Sequence, residues 1–365
     1  MEAYIEIYLK NIVDNYKKIV DYSKKNVIAV IKDNAYGHSL IQVGQILASK
    51  NVFMLAVSNI SEAILLRKNM IFSPLLLLGR CDDAKTIYSL KITQGVSSLD
   101  QLKNLAKQNI PISIHLELET GMHRLGLNQE EIPEAINIIN NSKLKLKGIY
   151  THFCSQDNIK QKDIFKNMID TYFYQYKLII HSQASNFINE DLSYCNTIRV
   201  GLALYGYNPY LDLKPALKLI CPIIRIQKIN KDVDIGYDYI EKTSENGYIL
   251  TLPFGYSHGL SRLKTLCFFY KNNIYYQIGK QCMDMVIVSC LAALTVLGDA
   301  DFIISIQGCF FFFQLFQQIH RLQNTRFKQS SCQFYRQRVT VNRINDLFQY
   351  TLVFFCVREK ATGNG

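Results

Sequence analysis

The 365-residue chain has no run of 18 or more apolar residues free of charge, so no membrane-spanning helix is expected. Its ten cysteines, at 81, 154, 195, 221, 267, 282, 290, 309, 332 and 356, never form a C-x-x-C pair. That scatter argues against a zinc site or a disulfide framework and fits reduced thiols in a cytoplasm. No metal is expected. The first residues, MEAYIEIYLKNIVDNYKK, carry acids early and lack a signal-peptide pattern. No G-x-G-x-x-G follows an apolar run, and no repeat of fixed period is evident. Zinc-finger, RRM and KH signatures are missing too.

What is present is a large hydrophobic fraction, 48%. Together with the length, it supports two domains, or one barrel with an appendage. The net charge of +11 raises the possibility of nucleic-acid binding. Its distribution argues otherwise. Residues 309–365 carry +6 and the preceding 308 only +5. The tail also changes in kind. Residues 1–308 hold 27 Lys and 6 Arg, whereas 309–365 hold 2 Lys and 6 Arg, and Phe310–Phe313 mark the change. A tail read in a shifted frame is one hypothesis for this break, and an ordinary divergent tail is the other. Sequencing the gene here and finding the same frame as close relatives would remove the first.

Up to about residue 215, short apolar runs alternate with amphipathic stretches. The runs are Val27–Ile31, Phe53–Val57, Leu75–Leu78, Ile112–Leu118, Leu146–Tyr150 and Thr197–Val200. Between them, Leu40–Ala48 and Ile132–Ile139 show apolar spacings of three and four. This predicts an α/β fold: an N-terminal (β/α)8 TIM-type barrel over 1–215, with its chemistry at the C-terminal ends of the strands. From 216 to 365 the texture becomes short β-rich runs, among them Leu219–Gln227, Gly247–Leu252, Cys267–Tyr270, Ile274–Ile278 and Val286–Ser289. These predict a mainly β domain, aberrant from about 309, with which the first residues of the chain can also pair.

Several segments can carry chemistry. In NVIAVIKDNAYGHS, Lys32 follows a buried apolar run directly, where a barrel presents its active site. An amine there can attack an aldehyde. On its own, the segment fits a lysine that merely reaches solvent at least as well. In HLELETGMHRLGL, Arg124 follows a Thr120–Gly121 turn and would be a fixed charge if buried among Glu117 and Glu119, or else a surface ion pair of little weight. GIYTHFCSQD offers His152 and Asp157, although a lone histidine is more often a satisfied core residue. NTIRVGLALYGYNP places Arg199 at a strand end, ahead of backbone N–H groups that can meet an anion. The β domain adds IGYDYI, LPFGYSHGLSR and IGKQCMDM.

In this order and spacing, over roughly residues 1–308, these segments resemble the bacterial alanine racemase family. The most specific part is Lys32–Asp33–Asn34–Ala35–Tyr36–Gly37–His38. The resemblance implies a pyridoxal 5'-phosphate enzyme that interconverts L- and D-alanine and supplies D-alanine for peptidoglycan. It implies Lys32 as the Schiff-base lysine and the base on one substrate face, with Tyr237 working on the other. Arg199 matches the arginine facing the pyridine nitrogen. Tyr36, Ser185, Gly201 and Leu202 match phosphate contacts. Arg124 matches the arginine near the phenolic oxygen and the substrate, and Met283 a substrate-carboxylate contact. His152 matches a histidine linked to the catalytic hydrogen-bond network. Asp157, Tyr256 and Arg262 match entrance residues. A homodimer with shared active sites is implied, and no nucleic acid or membrane partner.

Departures from the pattern are also visible. Glu117 stands where the family often has a lysine that becomes carbamylated, so its carboxylate would supply that negative charge directly. His258 replaces an aspartate, Lys280 an arginine and Ala184 an asparagine. The closing segment has only a faint echo at residues 332–339, and the late phosphate-contacting tyrosine has no clear match. The competing reading is a non-catalytic or decayed pyridoxal phosphate-binding protein. A decarboxylase of the same barrel class would require different substrate-binding motifs.

Overall fold

The structure, a computed structural model, describes residues 2–155, 157–260, 267–270, 273–290, 301–304 and 357–358. The chain forms two units, Leu9–Ala216 and Met1–Tyr8 with Leu217–Gly365.

The Leu9–Ala216 unit is a closed parallel barrel. After β1 (Tyr4–Ile7), its strands are β2 (Asn26–Val30), β3 (Met54–Val57), β4 (Leu75–Leu77), β5 (Thr93–Val96), β6 (Ser113–Glu117), β7 (Lys145–Tyr150), β8 (Ile179–His181) and β9 (Thr197–Val200). Each pairs in parallel with the next, and β9 closes on β2 from Asn26↔Thr197 to Ala29↔Val200. Six α-helices follow β2 to β7; β8 and β9 lead into short 3-10 turns. The helices start where side chains satisfy their first amides. Asn59 accepts from Glu62 N, Asp83 from Lys85 N and Thr86 N, and Ser98 from Gln101 N. The helix Leu9–Ser23 completes the wall: the Asn15 amide donates to the carbonyls of Leu204 (3.0 Å) and Lys214 (2.8 Å).

Alternation along the strands makes two layers. Val27, Ala29, Ile31, Leu55, Val57, Ile114, Leu116, Ile198 and Val200 pack in the large core between strands and helices. The alternate positions face the barrel interior. On β2–β4 these are Ile28, Val30, Met54, Ala56 and Leu76, one apolar cluster. On β6–β9 they are His115, Glu117, Tyr150, His181 and Arg199, all buried.

Two barrel strands were not among the expected apolar runs, β5 and β8. Both are short and interrupted by polar residues or glycine: TQGV and IIH.

The second unit is built on a nine-stranded sheet. Besides β1, it contains β10 (Leu217–Pro222), β11 (Arg225–Ile229), β14 (Gly247–Leu252), β15 (Cys267–Tyr270), β16 (Asn273–Gln277), β17 (Val286–Cys290), β18 (Asp301–Ile304) and β19 (Val357–Arg358). A two-stranded ribbon, β12 (Asp234–Ile235) with β13 (Glu241–Lys242), stands apart. The sheet order is β11-β14-β17-β16-β15-β18-β10-β1-β19. The chain's first strand therefore belongs here: Tyr4–Ile7 runs antiparallel to Leu217–Ile220. The expected break in pattern after about residue 309 lies outside the described residues, apart from β19. Among the described residues, no helix is long and apolar enough to cross a membrane.

Candidate active site

Lys32 follows β2 at the C-terminal mouth of the barrel. Ile31 before it is fully buried and its N–H donates to Ala56 O at 2.9 Å. The Lys32 side chain is about one-third exposed, with Nζ 3.8 Å from Asp33 Oδ2. The backbone then turns left-handed. Asp33, Asn34, Ala35 and Tyr36 all have φ between 52° and 55°, and Gly37 ends the turn at 76°. Each non-glycine residue there is disfavoured by roughly 1–2 kcal/mol. Such strain persists only where the surroundings over-determine it. Here Ala35 N donates to Ile31 O (2.9 Å) and Gly37 N to Asp33 O (3.3 Å). The His38 ring stacks on Tyr205 at 4.3 Å, with Nδ1 2.9 Å from Tyr36 O. Burial lowers the His38 pKa to about 4.

Tyr36 reaches across the mouth to β9. Its hydroxyl lies so close to Gly201 that a Cβ there would come within 2.4 Å of it, so only glycine fits. The Ser185 hydroxyl accepts from Gly201 N (3.2 Å) and Ala203 N (3.1 Å). Leu202 opens the 3-10 turn Leu202–Tyr205. Tyr36, Ser185, Gly201 and Leu202 thus gather at one corner of the mouth.

Arg199 is the charge at the centre. Nη1 donates to His181 Nδ1 (2.6 Å), and Nη2 to Thr151 O (3.0 Å) and His152 Nδ1 (3.2 Å). Its guanidinium lies 5.2 Å from the Tyr150 ring centroid. Arginine only donates, so both histidines accept at Nδ1 and carry their protons on Nε2. His181 Nε2 then donates to His115 Nδ1 at 3.0 Å. Burial, followed by the Arg199 charge, lowers the pKa of both His115 and His152 to about 3 and pushes His181 well down. The three imidazoles stay neutral, and Arg199 keeps the charge. Among the described residues, Arg199 Nε makes no hydrogen bond.

Tyr150 stacks on His181 with its ring nearly parallel, at 4.9 Å, and donates to Glu117 Oε2 at 3.2 Å. Two glycines make room for this group. A Cβ on Gly95 would lie 2.8 Å from the Tyr150 hydroxyl, and one on Gly148 2.8 Å from the His115 ring. Burial raises the Glu117 pKa, and Arg199 and Arg124 lower it. Of the two readings of Arg124, the structure has the surface ion pair: its side chain is 52% exposed, with Nη2 3.9 Å from Glu117 Oε1. Glu119 makes no ion pair with Arg124 among the described residues. That carboxylate accepts from the Gly121 amide and shapes the turn leading to Arg124. Asp157 is exposed in the loop after β7.

The β unit groups its own candidates. Tyr237 starts a 3-10 turn, 60% exposed, after Gly236 at φ 73°. Asp238 ties that turn to Lys280 through an ion pair. Tyr256 N donates to Cys282 O (3.2 Å) and Ser257 N to Met283 O (2.8 Å). Gly255 permits this approach, since a Cβ would come within 2.5 Å of Cys282 O. Met283 is 44% exposed. His258 folds back to accept from Gly255 N (3.1 Å) and stacks on Phe254, an intramolecular role for the residue that replaces the family aspartate. Arg262 lies outside the described residues.

Residues 7–209 match the model of the alanine racemase N-terminal domain, and 216–311 that of its C-terminal domain. The chain belongs to the alanine racemase family. An alanine racemase of Streptococcus suis is 30% identical over 332 residues, 83% of this chain and 90% of that protein. One from Borreliella burgdorferi is 32% identical over 309 residues, covering 78% and 83%. The solved alanine racemase of Clostridium difficile superposes with a TM-score of 0.74 at 29% identity, covering 83% of this chain and 87% of that one.

Sequence reasoning assigned no role to His115, Tyr150 or His181, although they hold Arg199 and Glu117. The available signal was the His–x–Glu alternation inside an otherwise apolar strand, Ile114–His115–Leu116–Glu117. A polar side chain at an inward position of a barrel strand needs a partner.

Proposed function

We propose that this chain is an alanine racemase that uses pyridoxal 5'-phosphate to interconvert L- and D-alanine, feeding D-alanine to the cell wall from the cytoplasm. The observation that carries this reading is the convergence at one barrel mouth of Lys32, the Tyr36–Ser185–Gly201 corner and a buried Arg199. These residues fit the cofactor. Gly201 lets the Tyr36 hydroxyl approach the backbone where a Cβ would collide with it, the Ser185 hydroxyl gathers two amides beside it, and Arg199 keeps Nε uncommitted among the described residues. In this reading Lys32 holds the aldehyde carbon, and Tyr36, Ser185, Gly201 and Leu202 hold the phosphate. Arg199 faces the pyridine nitrogen, and Arg124 the phenolic oxygen. When bound, the cofactor supplies an electron-withdrawing ring that acidifies the substrate α-hydrogen.

The chain's own groups then move the proton. Lys32 Nζ takes or gives it on one face, and Tyr237 Oη on the other. Arg199, charged among neutral imidazoles, has no easily lost proton to share with the ring. His152 accepts from Arg199 at Nδ1 and so carries its proton on Nε2. Met283 contributes its backbone to the substrate carboxylate, and Asp157, Tyr256 and Arg262 shape the entrance. The reading includes a homodimer, because the family's second base comes from the neighbouring subunit.

The test is direct. The purified protein should show the yellow band of the bound cofactor and convert L-alanine to D-alanine. Lys32→Ala should lose both. Tyr237→Phe should keep the band and lower turnover by about 10²–10⁴-fold, the usual range for a positioned acid–base group. A protein without the band would overturn the proposal. A second reading, a cofactor-binding protein without turnover, draws on one observation: the C-terminal domain match ends at residue 311, leaving the rest of the chain unmatched. A band without turnover in the wild-type protein would select it.

A further inference from the structure

The left-handed turn after Lys32 is held from outside by a buried carboxylate with no part in the proton transfers above. Glu62 sits in the first turn of the helix Ile60–Lys68, after β3. Its Oε1 accepts from Asn34 N at 3.1 Å, in the middle of the left-handed turn. Its Oε2 accepts from Ser58 N (3.2 Å) and Ser58 Oγ (3.4 Å), at the end of β3. Glu62 is itself fixed, because its own amide donates to Asn59 Oδ1 at 2.9 Å. On the far side, Asn34 Oδ1 accepts from Leu40 N at 2.8 Å, at the start of the next helix. One carboxylate thus joins the neighbouring strand β3 to a peptide two residues from Lys32.

We propose that Glu62 is a positioning residue for the proton-transfer step: by holding Asn34 N it keeps Asp33–Tyr36 left-handed and so aims Lys32. The proposal rests on the reading of Lys32 as the cofactor lysine. The chemistry requires a carboxylate, because backbone N–H groups approach both oxygens. A glutamine can accept with only one; its NH2 would face an N–H donor on the other side.

The test uses the holoenzyme and two variants. In the wild type, borohydride reduction and peptide mapping should find the cofactor on Lys32. A label elsewhere, or none, defeats the Lys32 reading itself, whatever Glu62 does. With Lys32 labelled, Glu62→Gln should still bind cofactor there. It should lower kcat by about 10- to 100-fold, the scale of an ångström-sized misplacement, with KM little changed. Hydroxylamine should also strip the cofactor from Lys32 faster, a readout independent of turnover. The decisive variant adds Ala35→Gly, which removes one strained side chain from the turn. If Glu62 acts through the turn, E62Q/A35G should regain part of the lost kcat and slow the stripping. A residue that merely docks its helix on β3 would show no such rescue. Wild-type kcat and stripping rate in E62Q would overturn the proposal, as would a defect that A35G leaves untouched. Should E62Q alone fail to fold, recovery of folded, labelled protein in E62Q/A35G supports the proposal, and failure of the double variant overturns it.

Discussion

The barrel interior has two unlike halves. The β2–β4 side is filled by Ile28, Val30, Met54, Ala56 and Leu76, as in an ordinary parallel barrel. The β6–β9 side holds His115, Glu117, Tyr150, His181 and Arg199 at comparable burial. The first half stabilises by removing apolar surface from water. The second gains little that way and depends on each polar group finding a partner. The comparison shows where this fold gives up stability for a defined charge. The polar half fixes one guanidinium among neutral rings, and that guanidinium faces the mouth that the apolar half helps to wall.

The sharpest break in the comparison is Arg199→Met. It strands the acceptors on Thr151, His152 and His181, each at a cost of about 1–3 kcal/mol. Urea unfolding should show a larger loss for it than for Ile28→Ala or Gly95→Ala, together with loss of activity. Ile28→Ala, on the apolar side, ranks next and is expected to cost about 2–5 kcal/mol by cavity formation. Its cofactor band should survive; a band lost in proportion to stability would mean that the halves are not separable. Gly95→Ala should be milder, about 1–3 kcal/mol of overpacking. The new methyl would meet the Tyr150 hydroxyl at 2.8 Å and Leu77 O at 2.9 Å, so the loss should shrink when Tyr150→Phe is added.

Mild acid is the gentlest probe. His115 and His152 have folded pKa values of about 3, below the ordinary 6.5. Between these values the unfolded chain binds the extra protons, so stability should fall as pH drops below about 6.5. Glu117, raised by burial, works in the opposite sense and loses stability as pH rises above its ordinary 4.5. Nitrogen NMR of the imidazoles should find neutral rings protonated at Nε2 for His115, His152 and His181 at pH 6. A charged ring there would contradict the hydrogen-bond assignment.

The same division explains what was legible in the sequence. Strands with apolar interior positions, such as Val27–Ile31 and Leu75–Leu78, announce themselves as unbroken runs. β5 and β8 do not. β5 carries Gly95 where the Tyr150 hydroxyl needs room, and β8 carries His181 where Arg199 needs an acceptor. The demands of the site erased the pattern that reveals a strand. Among site residues, Lys32, Tyr36, Ser185, Arg199 and Gly201 were named through the family resemblance, and the structure gathers them at one mouth. The left-handed turn could not be read, because Asp33–Tyr36 contains no glycine to betray positive φ. The choice between a buried and an exposed Arg124 could not be read either: Glu119, one of its two apparent partners, is occupied by turn amides, a local choice invisible in a list of charges.

The pairing of Tyr4–Ile7 with Leu217–Ile220 bears on how the protein is made. During synthesis, the first strand emerges more than two hundred residues before its partner, while every barrel strand has both of its neighbours within the Leu9–Ala216 stretch. The barrel can therefore close on the ribosome as a unit while the leading strand waits with an unpaired edge. Nascent-chain length, rather than stability, sets how long that edge stays open to chaperones or to strands of other chains.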